Sequence, residues 1–311
     1  MTSLDAGSGR AALMVLGSCV SLQVGAASAA QLFPTMGSAG VTLLRLLVAA
    51  VVLLVATRPH VHRWTRRQWT AVVAFGLCLA GMNGCFYAAI ARIPLGTAVT
   101  IEFLGPLVLA AVLSRRARDL AWVGLAAAGV VLLGWAADGG GADLDRIGVA
   151  YALLAGGFWA GYILTSARVG AAVPGHGGLG VALGVGALAL LPVGAAGAAT
   201  AVGHPDLLLL GAVSGLLASV VPYTLELSAL RRLTPRVFGV LLSLEPAVAA
   251  LAGWVLLSQP LGAREAVAVG VVVLASIGST LSARPPAGQG PAGAGAGEHD
   301  RGAAELAPQP S

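Results

Sequence analysis

Lysine is absent from this chain: all 18 basic residues among its 311 are arginine. A Walker A loop needs its lysine on the phosphates and a Schiff base needs a lysine amine, so an intrinsic ATPase and that covalent chemistry are both excluded. Work against a gradient would have to draw on an ion gradient or on substrate exchange. Charge of either sign is scarce, at 10% of residues against about 25% in soluble globular proteins. With 57% hydrophobic residues and a mean hydropathy of +0.87, most of the chain must face lipid or other buried helices. Cysteine is limited to Cys19, Cys78 and Cys85, an odd set in apolar segments with no metal-ligand spacing, which reads as small apolar packers. The five histidines (His60, His62, His176, His204, His299) fall in loops or the tail and form no HExxH-like arrangement. No metal and no cofactor is expected.

What is present is long apolar runs and 44 glycines, the small residues that let membrane helices approach closely. A run of about 17–24 residues crosses a ~30 Å hydrocarbon layer. Ten such runs are predicted: 11–31, 39–56, 69–91, 95–113, 119–137, 147–167, 177–200, 206–229, 236–257 and 263–282. With residues 1–10 inside, fourteen arginines sort to the inner side. Only Arg92, Arg146 and Arg264 fall outside, and Arg45 lies within a span. That bias is the positive-inside pattern; it puts both termini in the cytoplasm and explains the net charge of +5 without nucleic acid. The first run, after Arg10 and closing on Ala27-Ser28-Ala29, has the outline of a signal peptide. Its length and the nine runs that follow favour a retained helix. Residues 283–311, rich in Pro, Gly and Ala, are expected to be a disordered cytoplasmic tail.

Two glutamates, Glu102 and Glu245, sit at matching places in two stretches that should lie in lipid. A carboxylate at bilayer depth costs roughly 2.5–3.5 kcal/mol on insertion scales and persists where it lines a cavity or has a partner. Shifting the sequence by about 140 residues lays 89–93 on 229–233 and Pro106 on Pro246. Each half, 11–137 and 147–282, then holds five spans. Five is odd, so the second half is inverted relative to the first, the plan of many secondary transporters, with a site at the midplane. Counting from their entry sides, Glu102 lies ~12 Å deep and Glu245 ~14 Å deep at 1.5 Å per residue. Pro106 and Pro246 each remove a backbone hydrogen bond nearby and leave carbonyls that can line a cavity. A midplane carboxylate that holds or releases a proton suits proton coupling, and a charged one suits an ammonium group.

Other polar residues inside spans carry two readings each. Glu226 shares a helix face with Tyr223 and Ser219; it either pairs with Arg231 or Arg232 or joins the acidic site. Arg45, placed in the outer part of the second span, either snorkels to the surface or offers a fixed positive charge. Gln23 and Asn83 serve as interhelical glue or as ligand contacts, and Tyr87 falls on the face of Asn83. Trp159 and Tyr162, on one stripe with Ser166, act as packing aromatics or as a wall of the site. The Gly-x-x-x-Gly pairs 157/161, 180/184 and 211/215 are expected to be helix-packing faces.

Taken in order, these stretches resemble the drug/metabolite transporter superfamily with its two EamA-type repeats. More narrowly they are similar to the bacterial threonine/homoserine exporter family. The resemblance runs from about Ser21 to Leu281. It is carried by Ser21-Leu22-Gln23, Leu32-Phe33-Pro34, Gly40-Val41-Thr42 with Leu44-Arg45, Gly81-Met82-Asn83 with Phe86-Tyr87, and Pro94-Leu95-Gly96 with Glu102-Phe103 and Gly105-Pro106. The second half adds Phe158-Trp159-Ala160 with Tyr162-Ile163-Leu164, Pro222-Tyr223 with Glu226, and Phe238-Gly239 with Ser243-Leu244-Glu245-Pro246. Ala30 departs from the pattern, where relatives would carry lysine. The resemblance implies an all-α inner-membrane protein of ten helices that exports small amino acids by alternating access, with protons as a coupling partner. A zwitterion would place its ammonium near Glu102 or Glu245, its carboxylate near Arg45 and a hydroxyl near Asn83 or Tyr223. The same fold moving nucleosides, purine analogues or aromatic amino acids is the alternative. A lipid-modifying enzyme would also want buried carboxylates but would need a metal cluster or a nucleophile–base pair, and neither is found.

Overall fold

The computed structural model describes residues 3–114, 117–137, 144–173, 177–230 and 232–282. Among the described residues every regular element is helical. In chain order these are α1 (Ser3–Ala30), α2 (Phe33–Thr57), α3 (Arg66–Ile90), α4 (Leu95–Glu102), α5 (Leu104–Ser114), α6 (Ala117–Ala137) and α7 (Arg146–Ala172). There follow α8 (Gly177–Ala199), α9 (Pro205–Gly215), α10 (Val221–Leu230), α11 (Pro235–Leu242), α12 (Glu245–Leu257) and α13 (Ala263–Ser282). Three pairs are single columns broken midway: α4–α5 at Phe103, α9–α10 across a π turn at Leu216–Val220, and α11–α12 at Ser243–Leu244.

Helical columns therefore stand at all ten predicted places. Nine are long and apolar enough to cross a membrane among the described residues. The fifth, α6, is apolar throughout Asp119–Leu133, and its side chains past Leu133 lie outside the described residues. Ahead of it the Ser114 hydroxyl donates to the Asp119 carboxylate. Large apolar side chains such as Val55, Leu77, Val112, Leu188 and Val255 stay exposed on the outside of the bundle, the surface a lipid-facing protein presents.

Local chemistry sets the helix ends. The Thr65 hydroxyl accepts from Gln68 N while the Gln68 side chain accepts from Thr65 N, a capping box that starts α3. Asp145 caps α7 by accepting from Ile147 N and Gly148 N. The breaks follow the prolines. Pro106 has no N–H for the Glu102 carbonyl four residues back, and Pro246 has none for Leu242, so each column yields just ahead of its proline.

The columns pack in pairs: α2 on α8, α3 on α7, α6 on α13, α1 on α10 and α4 on α12. Contact is closest where two backbones meet. A Cβ on Gly105 would run into the backbone of Gly156, and one on Gly40 would lie 2.6 Å from the Gly197 carbonyl carbon. The predicted packing glycines are only partly the ones used. Gly211 and Gly215 both face α2, but Gly157 and Gly184 look onto open space while Gly161 and Gly180 do pack. A four-residue spacing fixes a shared face without saying which neighbour faces it.

Candidate functional site

α1 is the spine of the polar interior. Its Ser18 hydroxyl donates to Glu226 Oε1 on α10 at 2.6 Å. Ser21 donates to the Leu217 carbonyl in the π turn at 2.7 Å. Gln23 Nε2 donates to Glu245 Oε1, the first residue of α12, at 3.1 Å. In return Ser214 on α9 donates to the Gly25 carbonyl at 3.0 Å. A Cβ on Gly25 would strike Ala218, so the glycine is what lets α1 sit against the π turn.

These contacts string three carboxylates through the bundle. Glu102, 7% exposed at the end of α4, and Glu245, 6% exposed, are close enough to feel each other's charge, as are Glu245 and Glu226. Cys19 lies beside both Glu245 and Glu226. Among the described residues none of the three carboxylates has a cation within ion-pair distance. Glu226 accepts from Ser18; of the two arginines offered as its partner, Arg232 is exposed and Arg231 lies outside the described residues. Gln23 spends its amide N–H on Glu245 and keeps its Oε1 without a partner.

A second centre forms around Arg45. α2 is broken at Gly37, whose φ is 66°, and Arg45 stands eight residues beyond the break, turned into the bundle. At 2% exposure it does not snorkel. Its Nη2 donates to Asn83 Oδ1, its Nη1 donates to the Ala218 carbonyl at 3.3 Å, and its Cζ stands 4.5 Å from the centre of the Tyr87 ring. Asn83 is held in turn by donating to the Leu79 carbonyl at 2.8 Å. The Arg45 Nε has no partner. Tyr87 is fixed edge-on by Phe33 and Phe86, with Ser214 beside its hydroxyl outside hydrogen-bond geometry.

The Ala218 carbonyl is free for a legible reason. Pro222, four residues on, has no N–H to give it, and the π turn closes instead by a bond from Val221 N to the Leu216 carbonyl. Freed carbonyls are expected at Pro106 and Pro246; the one that meets the arginine comes from Pro222. Ala218, Ser18 and Ser214 are the contacts that sequence reasoning missed, and Pro222 is the signal that pointed to the first. Of the predicted residues, Gln23, Glu226 and Glu245 come together on one side, with Glu102 beside Glu245, and Arg45, Asn83 and Tyr87 on the other. Trp159 stacks edge-on against Phe103, next to Glu102, with centroids 4.9 Å apart, and Tyr162 tilts against Phe75 at 5.2 Å in a separate cluster that also holds Leu79 and Val169. The side chain of Tyr223 lies outside the described residues.

Beyond the interior, Arg92 bridges to Asp145 at 2.9 Å, tying the end of α3 to the start of α7, and Gln259 Oε1 accepts from Leu95 N at 2.9 Å. The hydrogen bond from Arg92, with Ile147 N behind it, holds the Asp145 carboxyl below the usual carboxylate range.

The profile of the EamA-like transporter family matches residues 146–281, the stretch from α7 to α13. The threonine/homoserine exporter RhtA of Escherichia coli (strain K12) is 41% identical over 275 residues, covering 88% of this chain and 92% of the relative. RhtA of Salmonella typhimurium (strain LT2) is 42% identical over the same shares. A crystal structure of a protein with 20% identity superposes with a TM-score of 0.53 over 87% of this chain and 96% of the other, which speaks for the fold alone.

Proposed function

The chain belongs to the EamA-like transporter family as a multi-pass membrane exporter of small metabolites, and from that premise we propose that its cargo is a small hydroxy amino acid of the threonine or homoserine kind. The observation that carries this reading is a pair of opposed charge centres buried in the same interior: among the described residues, an arginine with no carboxylate within ion-pair distance, and three carboxylates with no cation within it. A zwitterion presents both missing partners at once. Its carboxylate goes to Arg45, whose Nε is open, and its ammonium to Glu102 and Glu245. Asn83 Oδ1 is already taken by Arg45, so the substrate hydroxyl falls to the open Gln23 Oε1.

The mechanism is alternating access by two inverted five-helix repeats, 11–137 and 147–282, with both termini in the cytoplasm of a bacterium and the protein in its inner membrane. The helix packing supports the repeat. If columns one to five correspond to six to ten, α3 on α7 mirrors α10 on α1, and α3 on α8 mirrors α9 on α2. α2–α8, α4–α12 and α6–α13 are then pairs across the axis, as a two-fold in the membrane plane requires. Glu102 and Glu245 stand on corresponding columns in that scheme, each beside a column break. Two carboxylates within each other's field are not easily both charged in a dry site, so a proton taken by one as cargo leaves is the natural coupling step.

The test is counterflow of labelled threonine and homoserine in proteoliposomes at two pH values, against a panel of nucleosides and aromatic amino acids. Saturable exchange of the hydroxy amino acids, lost in Glu102→Ala and Glu245→Ala protein that still inserts, is the expected result. Unchanged exchange in both variants would reject the site, and preference for the other panel members would reject the cargo.

A further inference from the structure

A cleft of ≈ 690 Å³ opens where the start of α3 meets the end of α7, at the membrane boundary and away from the polar interior. That volume is within the roughly 300–1,000 Å³ of small-ligand sites. Arg67 and Arg168 face it from opposite walls, both exposed, and among the described residues neither has a carboxylate within ion-pair distance. The first turn of α3 carries no acidic residue. The base of the cleft is closed by Gln68, whose Nε2 donates to the Ala172 carbonyl at 2.7 Å, so a terminal carbonyl of α7 that would oppose an anion is already satisfied.

Two further features say what kind of anion. Beneath the arginines Ala71 and Ala74 line the cleft beside Thr70 and Thr165, whose hydroxyls are spent on the Arg66 and Gly161 carbonyls of their own helices. One turn deeper, on the same stripes, Leu77 and Leu164 are exposed, at 51% and 39%. Beside the mouth, Trp64 and Trp69 form an edge-on pair with centroids 5.4 Å apart, the aromatic arrangement that settles at headgroup level. A soluble anion would have no use for the apolar floor or its greasy continuation.

We propose that this cleft is a binding site for an anionic phospholipid: Arg67 and Arg168 clamp the headgroup phosphate, and the acyl chains run down the α3 and α7 stripes past Leu77 and Leu164. Basic pockets between membrane helices take such headgroups. The lipid would fasten α3 to α7, a packing pair that joins the first half of the chain to the second.

Native mass spectrometry of the full-length purified protein, titrated separately with phosphatidylglycerol, phosphatidylcholine and inorganic phosphate, reads this without any transport assay. Wild-type protein is expected to retain phosphatidylglycerol in preference to phosphatidylcholine, and millimolar phosphate is expected not to displace it. The double variant R67Q/R168Q should bind phosphatidylglycerol more weakly by roughly five-fold per arginine removed. R67K/R168K should keep part of the affinity, which separates loss of the site from loss of the fold, and R58Q/R63Q, outside the cleft, should match wild type. Equal retention of both lipids, equal weakening in R58Q/R63Q, or displacement by free phosphate would each overturn the proposal: the first denies anion selectivity, the second makes the effect diffuse surface charge, and the third makes the ligand a soluble ion.

Discussion

The two charge centres of the interior are built in opposite ways. Arg45 is hedged in by an amide oxygen, a freed backbone carbonyl and the face of a tyrosine ring. Glu102, Glu245 and Glu226 get by on very little: a glutamine for one, a serine for another, and for Glu102 no hydrogen bond among the described residues. The difference follows from what each group can do when water is withdrawn. A guanidinium cannot give up its proton, so fixed dipoles must stand in for its hydration at every moment of the cycle. A carboxylate can become neutral by taking a proton, so it tolerates a sparse setting whenever it is not charged. The arginine is thus a permanent feature of the site, while the acids are its variable part.

The largest effect should come from breaking the permanent side. Arg45→Gln is expected to cut threonine counterflow by roughly 10²-fold or more, the scale of losing one partner of a buried charge pair. Arg45→Lys should not rescue it, because an ammonium cannot reach Asn83 and Ala218 as a fork; wild-type exchange in either variant would remove the arginine from the site. On the variable side, Glu245→Gln preserves an acceptor for Gln23 but cannot release a proton. Exchange of cargo across equal pH should survive within about ten-fold while pH-driven net export is lost, since general proton handling of this kind contributes about 10²–10⁴-fold. Equal loss of both modes would make Glu245 a binding group only. Ser18→Ala removes one hydrogen bond from Glu226 and should lower thermal stability by about 1 kcal/mol with a several-fold change in transport at most.

The smallest effect is reserved for the exposed pair. Asp145 has its carboxyl held below its ordinary value of 3.8 by Arg92. A lowered acid stabilises the fold above its ordinary value and loses that contribution as pH falls through the lowered one. The Arg92–Asp145 tie should therefore be intact across neutral pH and open only under strong acid. Asp145→Asn should leave counterflow at pH 7 unchanged and shift the melting temperature slightly, as exposed ion pairs do. A large transport defect would mean that this tie gates the path.

Much of this was readable in advance, and the reasons are physical. Apolar runs, arginine sorting and the cost of a buried carboxylate are one-dimensional signals, so the columns, the placement of Glu102 and Glu245 and the shared face of Asn83 and Tyr87 all came from the chain itself. Partner choice is three-dimensional. That Glu226 would meet Ser18, 208 residues away, or that Gly105 would find Gly156, leaves no trace in local spacing. The setting of Arg45 has no local signal either, because Asn83, Tyr87 and the Ala218 carbonyl come to it from α3 and the π turn. Pro222 was visible, yet only the fold shows that Arg45 is the group that collects the carbonyl it frees.

The contact of Gly105 with Gly156 has a mechanical side. At Gly105 and Gly156, and again at Gly40 and Gly197, an added Cβ would lie inside the partner's backbone, so the two main chains meet with no side chain to repack between them. In the alternating-access cycle proposed above, α5 and α7 would then travel as one plank, as would α2 and α8. The proposed rocking would be left to the seams padded by larger residues, with the glycines deciding which parts of the machine are its levers.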